Sequence, residues 1–305
     1  MIFNRPKNIK FSNFYLKLNV VSLIFIVLSI FVLLFKGLNL GVDFKGGTLI
    51  EVRVENSNIY ISEIRQSLLK MDLGDVTVKK FGNEKDYLVK IEMKKNSEKD
   101  FIKSINEKLS KDLGSQVNFR RVENVGPKVS KELLRAGLLA ISLSLAAMLF
   151  YIWIRFEWQF SLGAIVALIH DVIITIGIFS FLSYEINLSI VAAVLTIVGY
   201  SMNDTVVIFD RVRENLRKYS NITTAEISNI STNETLSRTL ITSVTTLLAL
   251  FSIFFFGGAI LKGFSFAMII GVVIGTYSSI FVAVPILNYA KVTQKSVLKD
   301  EEKGE

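Results

Sequence analysis

The chain has 305 residues, of which 51% are hydrophobic and 20% charged, with a mean hydropathy of +0.47; that is too apolar for an ordinary soluble domain, yet too charged for membrane spans alone. It has no cysteine and one histidine, which excludes a disulfide scaffold, a thiolate or multi-histidine metal centre and a cysteine nucleophile. The net charge of +8 is gathered beside apolar runs, a pattern that records membrane topology rather than nucleic-acid binding.

Residues 1–15 read as a basic N-terminal segment carrying Arg5, Lys7 and Lys10. The apolar run 16–36 follows, long enough to cross a bilayer, since about 20 helical residues span the hydrocarbon. It is too long for a cleaved signal, and "LLFKGLNLG" offers no small-residue cleavage site. An uncleaved anchor is expected.

Residues 37–130 read as a soluble insertion. "GTLIEVRVE" predicts a strand, "ISEIRQSLLKM" a helix, "DVTVKKF" and "YLVKIEM" two strands, "SEKDFIKSINEKLSKDL" a helix and "QVNFRRVEN" a last strand. Alternating apolar positions mark the strands and helical periods the helices. The order β-α-β-β-α-β predicts an α+β ferredoxin-like domain. Ser97 with Asp100 loosely resembles a helix-start box, and the charges of "KKNSEKD" read as a solvated face. Nothing in the domain suggests catalysis. Gly41, Gly46 and Gly47 of "GVDFKGG", with Asp43 between them, predict a hinge at its entrance.

Five further apolar runs, 133–154, 160–182, 188–209, 239–257 and 264–289, complete six predicted spans in an α-helical polytopic membrane protein. Arg155, the basic cluster Arg211, Arg213, Arg217 and Lys218, and Lys291, Lys295, Lys299 and Lys303 lie on one side. The opposite short loops hold only Lys262. Both termini, the loop 211–236 and the tail 290–305 are therefore expected in the cytoplasm, and 37–130 outside it. "NIT" and "NIS" (221–223 and 229–231) match the glycosylation pattern, but on this topology they face the wrong side.

Ionisable residues inside a bilayer are costly and normally face protein. At about 100° per residue, Leu195, Val198, Met202, Val206 and Phe209 of the fourth span form one arc, read here as the lipid face. Gly199, Asn203 and Asp210 form another, beside Asp204 and Arg211, and are read as pointing inward. Asp204 lies roughly 6–9 Å from the span's centre. In the fifth span Arg238, Thr242, Thr245 and Ala249 share a face. A snorkelling arginine is the simpler reading of Arg238; threonines beneath it suggest a hydrogen-bonded file or held water. His170 and Asp171 in the third span are relay candidates, against a plain interhelical hydrogen-bonding role. Gly271, Gly275 and Ser279 in the sixth, like Gly199 in the fourth, read as helix-packing positions. A carboxylate's proton affinity depends on its solvation and on nearby cations. Asp204 is therefore expected to change charge as water reaches it, coupling a proton gradient to work. Each proton moved down the potential yields about 2.3 kcal/mol per 100 mV.

At "GVDFKGGTLIEV" (41–52), "HDV" in the third span, "VGYSMNDTVVIFDRVREN" (198–215) and "TLSRTLITSVTTL" (235–247), the chain resembles the SecD/SecF family of protein-export membrane proteins, over nearly its whole length and in segment order. The resemblance implies half of a transporter of the resistance-nodulation-division superfamily. It implies a heterodimer with SecD beside the SecYEG channel and the SecA motor, with YajC and YidC as further neighbours, acting on preproteins at the inner (cytoplasmic) membrane. Protons are the implied coupling ion, with no other cofactor. The family's proton-passage aspartate and arginine fall here on Asp204 and Arg238, and Thr242 matches a further polar position. Three other readings are weighed. Half of a small-molecule or lipid exporter would need a larger outward domain to enclose a pocket. A passive scaffold would tolerate loss of Asp204. An enzyme lacks any nucleophile–base pair, metal cluster or phosphate loop.

Overall fold

A chain crossing hydrocarbon must satisfy its own backbone, so an apolar run of this length has the helix as its one open-ended solution. The computed structural model, which describes residues 9–55, 59–71, 73–81, 83–91, 99–220 and 222–294, has six helices long and apolar enough to cross a membrane. The basic residues expected before residue 9 and after residue 294, the helix-start residue Ser97 and the acceptor Asn221 lie outside the described residues. The chain divides into two compact units, one of Met1–Asn39, Ala140–Tyr184 and Ser189–Glu305, the other of Leu40–Leu139 and Glu185–Leu188.

The first unit begins with a 3-10 turn, Phe11–Phe14, running into α1 (Tyr15–Lys36). The second opens with the single-turn helix α2 (Val42–Lys45), followed by β1 (Gly47–Val54), α3 (Ile61–Leu69), β2 (Val76–Lys80), β3 (Asp86–Ile91), α4 (Lys99–Leu113) and β4 (Val117–Val125). The strands pair antiparallel in the order β2-β3-β1-β4, the order a ferredoxin-like β-α-β-β-α-β chain takes. The core follows from period two in the strands and i, i+4 in the helices. Ile50, Val52 and Val54 of β1 and Tyr87, Val89 and Ile91 of β3 meet Ile64 and Leu68 of α3 and Ile105 and Leu109 of α4. The buried Tyr87 hydroxyl donates to the Ile59 carbonyl at 2.6 Å. Register places Arg53 opposite Asp86, where a two-pronged ion pair of 2.6 and 2.7 Å joins β1 to β3.

The remaining spans are α5 (Pro127–Arg155), α6 (Trp158–Phe181), α7 (Leu188–Lys218), α8 (Thr224–Phe256) and α9 (Gly258–Ser278), the last continued by a π-helical turn Ser279–Ala283 into α10 (Val284–Tyr289). Pro285 stands in the first turn of α10, where its missing N–H is tolerated. Phe156, Phe160 and Phe209 pack edge-to-face and stacked at the core. Glycines set the closest approaches. A Cβ on Gly271 would overlap Ile197, and one on Gly275 would stand 2.9 Å from Ser201 Cβ, so the sixth span lies directly on α7. Gly177 meets Ser29 of α1 in the same manner.

Two sequence expectations change here. Residues 211–236 are not a loop: α7 runs on to Lys218 and α8 starts at Thr224, where Thr223 and Glu226 form a reciprocal capping box. Charge ends the membrane-buried part of a helix, not the helix. The second change concerns the faces of α7. Val198, Met202 and Phe209, expected toward lipid, are 1%, 3% and 0% exposed in the core, whereas Gly199 and Asn203, expected inward, are exposed. Helical periodicity separates two arcs of a helix, but in a bilayer polarity does not say which arc the same chain covers.

Candidate functional site

Asp204 projects from the middle of α7 and is 3% exposed. Its Oδ2 is buried and has no hydrogen-bond partner among the described residues. Arg238, one helix over on α8, is exposed and forms no ion pair among the described residues. The two lie on neighbouring spans without a direct bridge. The threonines near Arg238 do not form a file leading from it. Thr242 donates to the Arg238 and Thr239 carbonyls at 3.1 and 3.0 Å, and Thr245 to those of Ile241 and Thr242 at 2.8 and 3.0 Å. Their hydroxyl protons are thus used on their own helix, the usual habit of mid-helix threonine. Asn203, next to Asp204 in sequence, faces away from the core.

A different carboxylate, bonded to the residue three positions before Asp204, is fully enclosed. Asp171 of α6 is 0% exposed and accepts from Ser201 of α7 at 2.5 Å and Ser278 of α9 at 2.8 Å. His170 Nδ1 lies 2.8 Å from its other oxygen. The His170 ring stacks on Tyr277, whose hydroxyl donates to the Leu18 carbonyl and shares a hydrogen bond with Ser22. His170 Nε2 is buried without a partner among the described residues. Four spans therefore meet at one polar knot. Sequence reasoning misses Ser201, Ser278, Tyr277 and Ser22, because a serine or tyrosine in an apolar run carries no periodic signal of its own.

The long extensions of α7 and α8 are bound by charge. Arg211 donates to Glu234 and to Glu214, both at 2.6 Å, and Asn215 donates to Ser231 at 3.0 Å and Glu234 at 2.8 Å. Arg211 is thereby committed away from Asp204. Asp210 accepts from Arg155 at 2.9 Å. Asn229 and Asn233 of α8 hold the N-terminal segment, bonding Ser12 and Ile9 through main and side chain. Asn229, the first residue of the "NIS" tripeptide, is thus occupied by packing.

Of the packing glycines, Gly271 and Gly275 meet α7, but a Cβ on Gly199 would meet nothing within 4 Å. Gly199 packs on no helix among the described residues. The expected hinge also needs correction. Gly41 has φ −72° and donates its N–H to the Ile186 carbonyl at 2.8 Å, while Asp43 accepts from the Leu188 N–H at 2.9 Å. That half of the motif is a close contact. The left-handed backbone that needs glycine sits at Gly46 and Gly47, with φ 80° and 131°.

Comparison with known proteins gives consistent matches. The model of the family "Protein export membrane protein SecD/SecF, C-terminal" matches residues 105–293, and that of the "SecD/SecF GG Motif" matches residues 31–57. The protein translocase subunit SecF of Rickettsia rickettsii is 44% identical over 268 residues, covering 86% of this chain and 86% of its own length. That of Vibrio alginolyticus is 47% identical over 265 residues, with 87% and 84% covered. Among solved structures, SecDF from Thermus thermophilus, described as a translocon-associated membrane protein, superposes with a TM-score of 0.85 at 32% identity. The match covers 95% of this chain and 39% of that one. SecDF in a super-membrane-facing form gives 0.68 at 33% identity, covering 96% and 40%. This chain thus spans about two fifths of the length of those SecDF chains.

Proposed function

The chain belongs to the SecD/SecF family of protein-export membrane proteins, and we propose that it serves as a SecF-type subunit of a protein translocase, using the proton gradient to draw preproteins across the cytoplasmic membrane. The observation that carries the proton role is Asp204: a carboxylate 3% exposed, with one oxygen bare, in a span where every such group is costly. A structural carboxylate would be covered by donors, as Asp171 is. A carboxylate that must gain and lose a proton has to keep an oxygen free.

Arg238 supplies the opposing charge. In this reading it approaches Asp204 in one part of the cycle and releases it in another, so that the carboxylate does not stay protonated throughout. Thr242 keeps its hydroxyl oxygen available to water or to the guanidinium, since only its proton is engaged on the helix. Both termini face the cytoplasm and the inserted domain faces outward, as the basic residues of the short loops direct.

The solved SecDF neighbours support association with a SecD half, and the exposed Gly199 and Asn203 face gives that half a surface of small and polar residues to meet. SecYEG and SecA enter as the channel and motor that this pair would assist, with YajC and YidC as neighbours. The small-molecule exporter reading is not favoured, because the relatives matched over most of their length carry the name of a translocase subunit.

The test is preprotein translocation into inverted vesicles with ATP present and the proton gradient on or off. Asp204→Asn is close in shape and removes a costly charge, so insertion and assembly should persist while the gradient-stimulated component falls at least about tenfold. Asp204→Glu should retain part of it. Arg238→Lys should do worse than charge conservation suggests, because lysine lacks the planar fork of donors. Full gradient stimulation in an assembled Asp204→Asn complex would make Asp204 structural and leave a passive scaffold.

A further inference from the structure

The connector "GVDFKGG" and the short link between the third and fourth spans are some 145 residues apart in sequence, yet they close on each other within one compact unit. Five contacts do this. Leu40 and Ile186 are parallel bridge partners, and the Gly41 N–H donates to the Ile186 carbonyl at 2.8 Å. Asp43 Oδ2 accepts from the Leu188 N–H at 2.9 Å. Lys90, reaching from β3, donates to the Leu40 carbonyl at 3.0 Å and lies 3.8 Å from Glu185 Oε1.

Each contact answers a physical need. Leu188 is the first residue of α7, where the helix leaves its own N–H groups without acceptors. A carboxylate is favoured at that positive end of the helix dipole. Asp43 is therefore a cap for α7 supplied by a different part of the chain. Gly41 suits the space: a Cβ there would stand 3.2 Å from the Ile186 carbonyl and 2.9 Å from Glu185 Oε1, the movable end of a side chain. Lys90 is half-buried, which holds its amine below the usual lysine range, and Glu185 offsets part of that.

From this geometry we infer that Gly41, Asp43 and Lys90 form a clasp that fixes the inserted domain to the first turn of α7, and that Asp43 is a positioning residue for coupling. The inference rests on Asp204 being the coupling group. Leu188 and Asp204 belong to one continuous helix, separated by about 24 Å at ~1.5 Å per residue. A shift of α7 when Asp204 changes charge is then delivered at Leu188 directly to the domain. Without the clasp the same shift would be absorbed in the link before α7, where Ser183 already adopts a left-handed backbone, and at Gly37, with φ 70°.

The test uses the full complex in the gradient-on, gradient-off translocation assay. The chain has no cysteine, so Leu40→Cys with Ile186→Cys introduces one defined pair. Paired strands lie about 4.8 Å apart, inside the roughly 4.4–6.8 Å Cα range of a disulfide. The oxidised pair should keep gradient-stimulated export within about twofold of the parent, because the clasp stays shut while it works. Asp43→Leu should lose at least about fivefold of the gradient-stimulated component, with the ATP-driven component and assembly unchanged. Asp43→Asn should retain most of it, since its amide oxygen still accepts from Leu188. Oxidising the cysteine pair in the Asp43→Leu background should restore coupling. A disulfide that blocks export and releases it on reduction would overturn the clasp. So would full gradient stimulation in Asp43→Leu while Asp204→Asn has lost it. Retention in both variants would overturn the coupling role of Asp204 and the clasp with it.

Discussion

Asp171 and Asp204 are both buried aspartates in spans, and their surroundings assign them different work. Asp171 is filled by Ser201, Ser278 and His170, so it binds α6, α7 and α9 together. Asp204 has an oxygen with no partner among the described residues, the arrangement that the proposed change of charge requires. In the sequence, Asp171, His170, Asn203 and Asp204 form one set, because a polar or ionisable residue in an apolar run raises the same signal whatever surrounds it. The structure divides that set, and Asn203 faces away from the core. What separates the members is which serines reach them from other helices, and no single span encodes that. A residue-scale prediction belongs to the inserted domain, where the Arg53 guanidinium holds the Asp86 carboxyl below the usual carboxylate range. A carboxylate with a depressed value in the folded state contributes stability above its unfolded value of about 3.9, and loses it as pH falls through the folded value. The protection of β1 and β3 amides against hydrogen exchange, taken relative to the unstructured chain at the same pH, should therefore fall below about pH 4 in the detergent-solubilised chain. Asp86→Asn should flatten that dependence; an unchanged profile in the variant would show that the pair does not hold the sheet.

At the scale of elements, the strands and helices of the inserted domain are legible, because period two and period 3.6 alternate cleanly there and the order of elements restricts the sheet to few topologies. The six spans are legible from length and apolarity. Two features are not. The helical extensions beyond the bilayer look like loops when apolarity is the only guide, although Thr223 and Glu226 mark the true start of α8. Part of the α7 arc read as facing lipid is buried and part of the arc read as inward is exposed, while Asp204 stays buried, because the apolar arc of a membrane helix can face lipid or its own bundle equally well. The glycine ridge of the sixth span is legible as packing, but its partner is not. That partner is Ile197 with Ser201, which permits a paired test. Gly271→Ala should destabilise the bundle by about 1–3 kcal/mol through overpacking. Ile197→Ala in the same chain should recover part of that loss, measured by reversible unfolding in micelles. No recovery in the double variant would mean that the strain lies elsewhere.

For the whole molecule, the proposed topology rests on the lysines and arginines of the short loops. Reporter fusions within 219–223 should read cytoplasmic and fusions near Asn83 should read outside; the reverse pattern would overturn the orientation. The family resemblance supplies what no residue pattern could, namely a SecD half as partner and preproteins as substrate. The geometry adds where the chain is tied and where it is left open: Asp171 and the clasp at Leu188 are closed, while Asp204, Arg238 and the Gly199 face are not. The most direct test of proton coupling through Asp204 is proton uptake by proteoliposomes holding this chain with its SecD partner, followed with a pH-sensitive dye under an imposed potential. The account predicts a flux in the parent complex that falls at least about tenfold in Asp204→Asn with the complex still assembled. Equal flux in the two would contradict it.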